Sequence, residues 1–405
     1  MTRHASLGAL LTVGALLISL PAHAQWTLPE GQLVVTSNVD VQYADSEFFG
    51  QEGEPRSLRS FPLAGEYYAA TTTIDMRLGV TNNLEFELAI PLAIVAYTSD
   101  PVVLLPQPMG SMESSLDYYQ RNVIDLTQAR AGLSDVRATG RYRFLSDPFQ
   151  LTGELQLKIP GGYDAPEGTF GARPDSIQDF VENVGTFVAP ENVRDDVVLG
   201  DGQVDLIGRI LFGASFPTGT FFAGDAGYNV RFDDAGHQVL ASLRVGQMIE
   251  GIVLLFAGAS FGISVTEGRT IGVSVAADDP NLPAQDYGGT DNLLLREVRL
   301  QRDYLDVYGG VIFRLSPEVE LKLAYGRTVW GRNTAAVNTF TIGVGARTRL
   351  FGQDPAPPPP PVEDVPPVVA EPAADEAWEE EAPAPAPLEE PPSGQDDGAS
   401  TEASP

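Results

Sequence analysis

Charged side chains recur at every second position on both sides of short turns. Asp75 and Arg77 precede Thr81-Asn82-Asn83, and Glu85 and Glu87 follow it. Arg137, Arg141 and Arg143 precede Ser146-Asp147-Pro148, and Glu154 and Lys158 follow. Arg209, Arg314, Glu320, Lys322, Arg347 and Arg349 occupy the same phase of later segments. Two-residue spacing puts such side chains on one face of a strand. A face of mixed acids and bases supports ion pairing or a hydrated wall, because a charge removed from water must be paired or wetted. The residues for covalent or metal chemistry are sparse. The chain has no cysteine, which excludes disulfides, thiol nucleophiles, Cys-based metal sites and a lipoprotein anchor. After residue 24 it has one histidine, His237, close to Asp233 and Asp234. A hydrolase of the Ser/His or Asp/His kind needs a histidine held by a second group against a nucleophile, and a transition-metal site needs several such ligands. A solvated loop histidine is the simpler reading. Neither an enzyme nor a cofactor is expected, and no metal.

The elements that must carry these charges read as strands with two unlike faces. Opposite Asp75, Arg77, Glu85 and Glu87 stand Ile74, Met76, Leu78, Val80, Leu84, Phe86, Leu88 and Ile90. Twelve such segments are expected, at 32–44, 66–81, 84–97, 133–146, 149–160, 203–216, 219–232, 237–249, 252–266, 302–315, 318–330 and 336–351. Each reaches the roughly 9–11 residues a tilted strand needs to cross a bilayer. Their connections alternate, with tight turns after the even-numbered strands and long loops after most of the odd ones (45–65, 98–132, 161–202, 267–301). That asymmetry is a habit of outer-membrane barrels, in which apolar faces meet lipid and polar faces line the lumen. The predicted fold class is all-β: a transmembrane antiparallel β-barrel of about twelve strands, both ends of which lie on the periplasmic side. Aromatics group near both strand ends, Phe144, Phe149, Phe216, Phe221, Phe313 and Phe351 at the short turns and Tyr43, Tyr67, Tyr68, Tyr97, Tyr304 and Trp330 at the long loops, as interfacial girdles do. The stretch 252–256 is apolar on both faces and reads as plugged or covered by a loop.

The flanks differ in kind. Arg3 and His4, the apolar run 7–20 and Ala22-His23-Ala24 follow the pattern of a secretory signal peptide, residues 1–24. The barrel occupies 25–352. Residues 353–405 hold 14 of the chain's acids and no Lys or Arg, in a Pro/Ala/Glu-rich mixture expected to be a disordered periplasmic tail. The net charge of −30 argues against nucleic acid as a partner. The partners expected are outer-membrane lipids and lipopolysaccharide, the outer-membrane assembly machinery reading a last strand that ends at Phe351, and a periplasmic protein for the tail.

Several segments resemble the outer-membrane transporter family named for the MetA pathway of phenol degradation. They are Leu78 to Pro91, Gly132 to Arg137 with Arg141 to Phe144, Leu157 to Gly161, Gly200 to Asp205, and Gly343 to Arg347. They keep the family's order and span most of 66–351. The resemblance implies a single-chain barrel concerned with passage of small, hydrophobic molecules, and it brings no catalytic motif. The barrel followed by a Pro-rich linker is also similar to OmpA-like proteins, without their peptidoglycan-binding domain. The leading expectation is passive passage of small solutes, hydrophobic or cationic ones among them, through a narrow charged lumen. The alternative is a structural barrel with a closed lumen, whose tail tethers a periplasmic partner.

Overall fold

The computed structural model describes residues 27–352, apart from 50–56, 62–63, 101, 104–108, 110–111, 113, 115–122, 125–126, 147–148, 164–198, 233–234, 269 and 278–292. The expected signal peptide, the tail and most of the acidic loop 161–202 lie outside the described residues.

Twelve long strands form the barrel wall: β1 Gln32–Ala44, β2 Glu66–Gly79, β3 Leu84–Thr98, β4 Val136–Leu145, β5 Gln150–Ile159, β6 Asp205–Ser215, β7 Thr220–Arg231, β8 Gln238–Ile249, β9 Val253–Ser264, β10 Asp303–Arg314, β11 Val319–Arg332 and β12 Asn338–Arg349. Each pairs antiparallel with its neighbours in sequence, and β1 pairs with β12, so the sheet closes on itself. Closure removes the raw edges that an open sheet exposes.

The short turns have local causes. Glu250 and Gly251 both take positive φ, 49° and 69°, the two-residue hairpin geometry that matches strand twist. Between β2 and β3 the Thr81 hydroxyl oxygen accepts the backbone N–H groups of Asn83 and Leu84 at 3.2 and 3.0 Å. The wall at β4 is longer than its sequence pattern suggests. Residues Gln128–Leu133 pair with 92–97 of β3, and β4 pairs with 84–89, with a break at Ser134 and Asp135. The Ser134 N–H donates to the Pro91 carbonyl at 3.0 Å. A strand residue's N–H and C=O point to the same neighbour, so the N–H that Pro91 lacks falls on that side, where the ladder is interrupted.

Two loops expected to be irregular also carry strands. Residues 46–49, 57–60 and 334–335 form a small sheet at the long-loop end. Residues 270–277 and 293–299 pair as a hairpin, and the run Thr270-Ile271-Gly272-Val273-Ser274-Val275 has the β-branched alternation that favours it.

Burial is inverted relative to a water-soluble domain. Phe86, Leu92, Ile94, Leu155, Ile210, Leu243, Phe340 and Ile342 all stand exposed on the outer face, while Glu85, Asp303, Thr152 and Glu154 are buried inside. A soluble monomer rarely exposes a contiguous apolar patch beyond a few hundred Å², and here the apolar face continues around the wall. Closed barrels are the one sheet architecture that satisfies its backbone within lipid. Phe144, Phe149, Phe216 and Phe351 lie exposed at the short-turn end, and Tyr43 and Tyr68 stack 5.2 Å apart at the other. Tyr67, Tyr97 and Phe221 depart from the expected girdles. Alternation turns them inward, where they line the lumen.

Candidate functional site: the barrel lumen

All fifteen charged residues singled out in the sequence occupy inward positions, and the structure sorts them into four settings. Six build a ladder across adjacent strands. Arg77 on β2 grips Glu85 at the start of β3, with Nε 2.9 Å from one carboxylate oxygen and Nη2 3.0 Å from the other, and reaches Glu87 at 3.7 Å. Arg141 on β4 contacts Glu85 at 2.7 Å, Glu87 at 2.5 Å and Glu154 on β5 at 2.7 Å. Arg209 on β6 contacts Glu154 at 2.8 Å and Asp225 on β7 at 3.7 Å. Register explains the order: Glu85 stands opposite Arg141, Arg141 opposite Glu154, and Glu154 opposite Arg209. Directly opposed residues have their Cβ atoms about 5 Å apart, within reach of such pairs. The Glu85 side chain has 0% exposure and also accepts the Leu28 N–H at 2.7 Å, tying the segment before β1 to the ladder. Ser242 on β8 donates to Asp225 and ends the chain of contacts.

Lys158 belongs to a second cluster near the long-loop end. Its ammonium lies 2.5 Å from Asp201, 2.8 Å from Asp205 and 3.6 Å from Asp135. Arg231 pairs with Asp201 and with Asp205. Tyr163 donates to Asp135 and accepts the Gly202 N–H at 2.9 Å. Burial tends to raise the Asp201 carboxyl, but Lys158 and Arg231 together outweigh it and hold the group below its ordinary range. Burial, reinforced by Asp135, pushes the Tyr163 phenol well up.

Three of the arginines secure the short-turn end. Arg143 donates to the Asn82 carbonyl, Arg314 to the Gly251 carbonyl at 3.3 Å and Arg349 to the Glu30 carbonyl at 3.0 Å. The remaining five lie elsewhere on the inner wall. Asp75 accepts the Asn38 amide at 3.1 Å, Arg347 pairs with Glu320 at 3.1 Å, Arg137 stands across from Ala89 of β3, and Lys322 faces a cavity.

That cavity, about 710 Å³, lies against β8 to β12 and the adjoining strands, with Arg244, Phe256, Tyr308, Ile312, Lys322 and Thr341 among its lining. Glycine makes it possible. Gly258 of β9 pairs with Tyr308 of β10, and Tyr308 with Gly326 of β11. A Cβ on Gly258 would meet the Tyr308 ring, and one on Gly310 would meet the Phe256 ring. The rings therefore lie flat on the wall over glycine instead of projecting into the lumen. The doubly apolar stretch 252–256 is explained in the same way: Leu254 and Phe256 face the cavity. Asp225, Arg231 and Arg244 were not expected at the lumen, although they share the inward phase of their strands.

Asp233 and Asp234 lie outside the described residues, and among those described the His237 side chain meets a backbone N–H and an aromatic ring. Its Nδ1 accepts the Arg231 backbone N–H at 3.1 Å, and its ring lies 5.9 Å from Tyr228.

The fold and this lumen define a transmembrane β-barrel of the bacterial outer membrane. No protein-family model matches the chain, and no curated protein matches it. Among solved structures it is similar to an outer-membrane channel of Pseudomonas putida F1, at 10% identity and TM-score 0.49, over 80% of this chain and 97% of that one. It is also similar to the translocator domain of the autotransporter NalP from Neisseria meningitidis, at 12% identity and TM-score 0.39, over 78% and 88%. A third is the CymD monoaromatic hydrocarbon channel, at 9% identity and TM-score 0.34, over 80% and 90%.

Proposed function

We propose that the barrel is a passive channel for small solutes, with the path running along the cavity side of the lumen. The observation that carries this reading is the division of the interior. Ion pairs run across the wall from β2 to β7, whereas open space of about 710 Å³ lies mainly against β8 to β12, with Gln42, Tyr67, Tyr97 and Phe221 bounding it from the other strands. Barrels of about eight strands are filled by side chains and those of sixteen to eighteen leave an aqueous channel. A twelve-stranded barrel that packs one side and leaves the other free yields a narrow passage. The charged wall then has two duties. Arg77, Glu85, Glu87, Arg141, Glu154 and Arg209 hold the barrel's shape, and Lys322 with its neighbours sets which charge may pass.

Residues 1–24 act in this reading as the export signal, 25–352 as the channel, and 353–405 as an acidic periplasmic tether. Apolar outer residues and the exposed Phe351 suit lipid and the assembly machinery. The deciding measurement is single-channel conductance of the refolded chain 25–405 in a planar bilayer. Discrete steps are expected. A folded barrel that stays silent would transfer the assignment to the closed, structural reading, with the tail as its functional part.

A further inference from the structure

We infer that the cavity is a binding site for small organic anions that join a carboxylate to an apolar, preferably aromatic, body. The inference rests on the channel reading and names the class of solute that its lumen would select.

Charge is the first observation. Arg244, Arg302, Arg327 and Lys322 line the cavity against two acids, Glu47 and Asp306. Among the described residues no carboxylate lies within ion-pairing distance of Arg244 or Lys322. The acids nearest them accept hydrogen bonds from other groups and reach neither cation. Asp306 accepts the Thr328 hydroxyl at 2.7 Å, Asp40 accepts the Thr341 hydroxyl at 2.5 Å, and Asp75 accepts the Asn38 amide at 3.1 Å. Glu320 pairs with Arg347 at 3.1 Å. Lys322 lies in the field of Asp40, Asp75 and Glu320 and in the opposing field of Arg244. Two like charges facing one space favour an anion between them. The contrast with Arg141, which has three carboxylates at 2.5–2.7 Å, shows that this wall could have been neutralised by acids and is not.

Apolar surface beside the charge is the second observation. The Arg244 guanidinium carbon sits 5.9 Å from the Phe256 ring centre and 5.8 Å from that of Tyr308. Leu254 and Ile312 continue the surface. A carboxylate on Arg244 and Lys322 would leave its apolar body against these four side chains. Arginine suits the task because its planar fork meets a carboxylate in two bonds while its face stacks on a ring. The cavity volume falls in the range of small-molecule sites, which combine an apolar lining with a few convergent polar groups.

The test uses the refolded chain 25–405 in zwitterionic detergent at neutral pH, titrated calorimetrically with benzoate, benzyl alcohol and acetate. Benzoate should bind at least about tenfold more tightly than benzyl alcohol, which lacks the charge, and than acetate, which lacks the ring. The double substitution Arg244→Gln and Lys322→Gln should weaken benzoate binding by about tenfold or more with heat-modifiable migration of the folded barrel unchanged. Should that pair fail to refold, Lys322→Gln alone and Arg244→Lys decide: the first should weaken benzoate binding, the second should weaken it less. Equal binding of benzyl alcohol, equal binding of acetate, or unchanged binding by the variants would each overturn the inference. Conductance in potassium chloride separates the two proposals. A silent barrel that binds benzoate removes passage and keeps the site, and a conducting barrel that does not bind benzoate removes the site and keeps passage.

Discussion

The two sides of the lumen are built from the same inward positions and reach opposite results. From β2 to β7 ion pairs link successive strands, and the contacts run unbroken from Arg77 to Asp225. From β8 to β12 the ion pairs sit at the ends of the wall. Arg347 meets Glu320 toward the short turns, and Arg332 meets Asp303 at 3.0 Å toward the long loops. Between them the inner wall carries Arg244 and Lys322 beside small residues, a few apolar and hydroxyl side chains, and rings lying flat over glycine. The difference lies in filling, not polarity: both walls hold arginine, and only the first carries a continuous run of counter-ions. A buried charge without a partner is costly, so the first wall tolerates little change, while the second keeps its cations in contact with open space.

Substitutions on the two walls should have very different effects. The largest effect is expected for Arg141→Ala. It strands the Glu85, Glu87 and Glu154 carboxylates, and removing one partner from a buried network costs about 3–5 kcal/mol. Urea unfolding followed by heat-modifiable migration measures it. Next comes Gly258→Val, whose new side chain would displace the Tyr308 ring from the wall. Overpacking of that kind costs about 1–3 kcal/mol, and it should narrow the passage and lower single-channel conductance. Asp201→Asn tests the second cluster through pH. Because the folded Asp201 carboxyl is held below its ordinary range, its stabilisation is present above the ordinary carboxylate value of 3.8 and is lost as pH falls through the lower, folded value. The difference in melting temperature between Asp201→Asn and the parent chain should therefore be full at neutral pH and close in acid. The smallest change in stability is expected for Lys322→Gln, within about 0.5 kcal/mol, together with a reversal potential moved toward cations in a salt gradient. If Lys322→Gln cost as much as Arg141→Ala, the two walls would not differ as described.

Much of the fold was legible because period two is a strong signal when one face meets lipid and the other meets charge. Tight turns made the hairpin partners legible as well: once Thr81-Asn82-Asn83 is placed, Arg77 falls opposite Glu87. Pairs across the long loops were not legible. Glu85 meets Arg141, and Glu154 meets Arg209, only because closure of the whole barrel fixes the register. The cavity was hidden for a related reason. Glycine and alanine at 258, 310, 324 and 326 read as weak strand residues, and their value appears only when Phe256 and Tyr308 fold down over them. The inward turn of Tyr67, Tyr97 and Phe221 follows from alternation alone, which is a better guide to an aromatic's surroundings than its distance from a strand end.

The seam between β1 and β12 bears on how the chain folds. The Arg349 side chain donates to the Glu30 carbonyl across 319 residues of sequence, and Gln32 stands opposite Arg349 at the same seam. Pairings so distant form late, because the loop they close must lose its freedom before any contact compensates. Until β12 arrives, β1 is a bare edge, ready to accept a strand from any neighbouring chain. Growth of the sheet from β1 onward thus leaves the nascent molecule sticky at two margins until its last strand docks, and a chain shortened before residue 338 would carry that stickiness permanently.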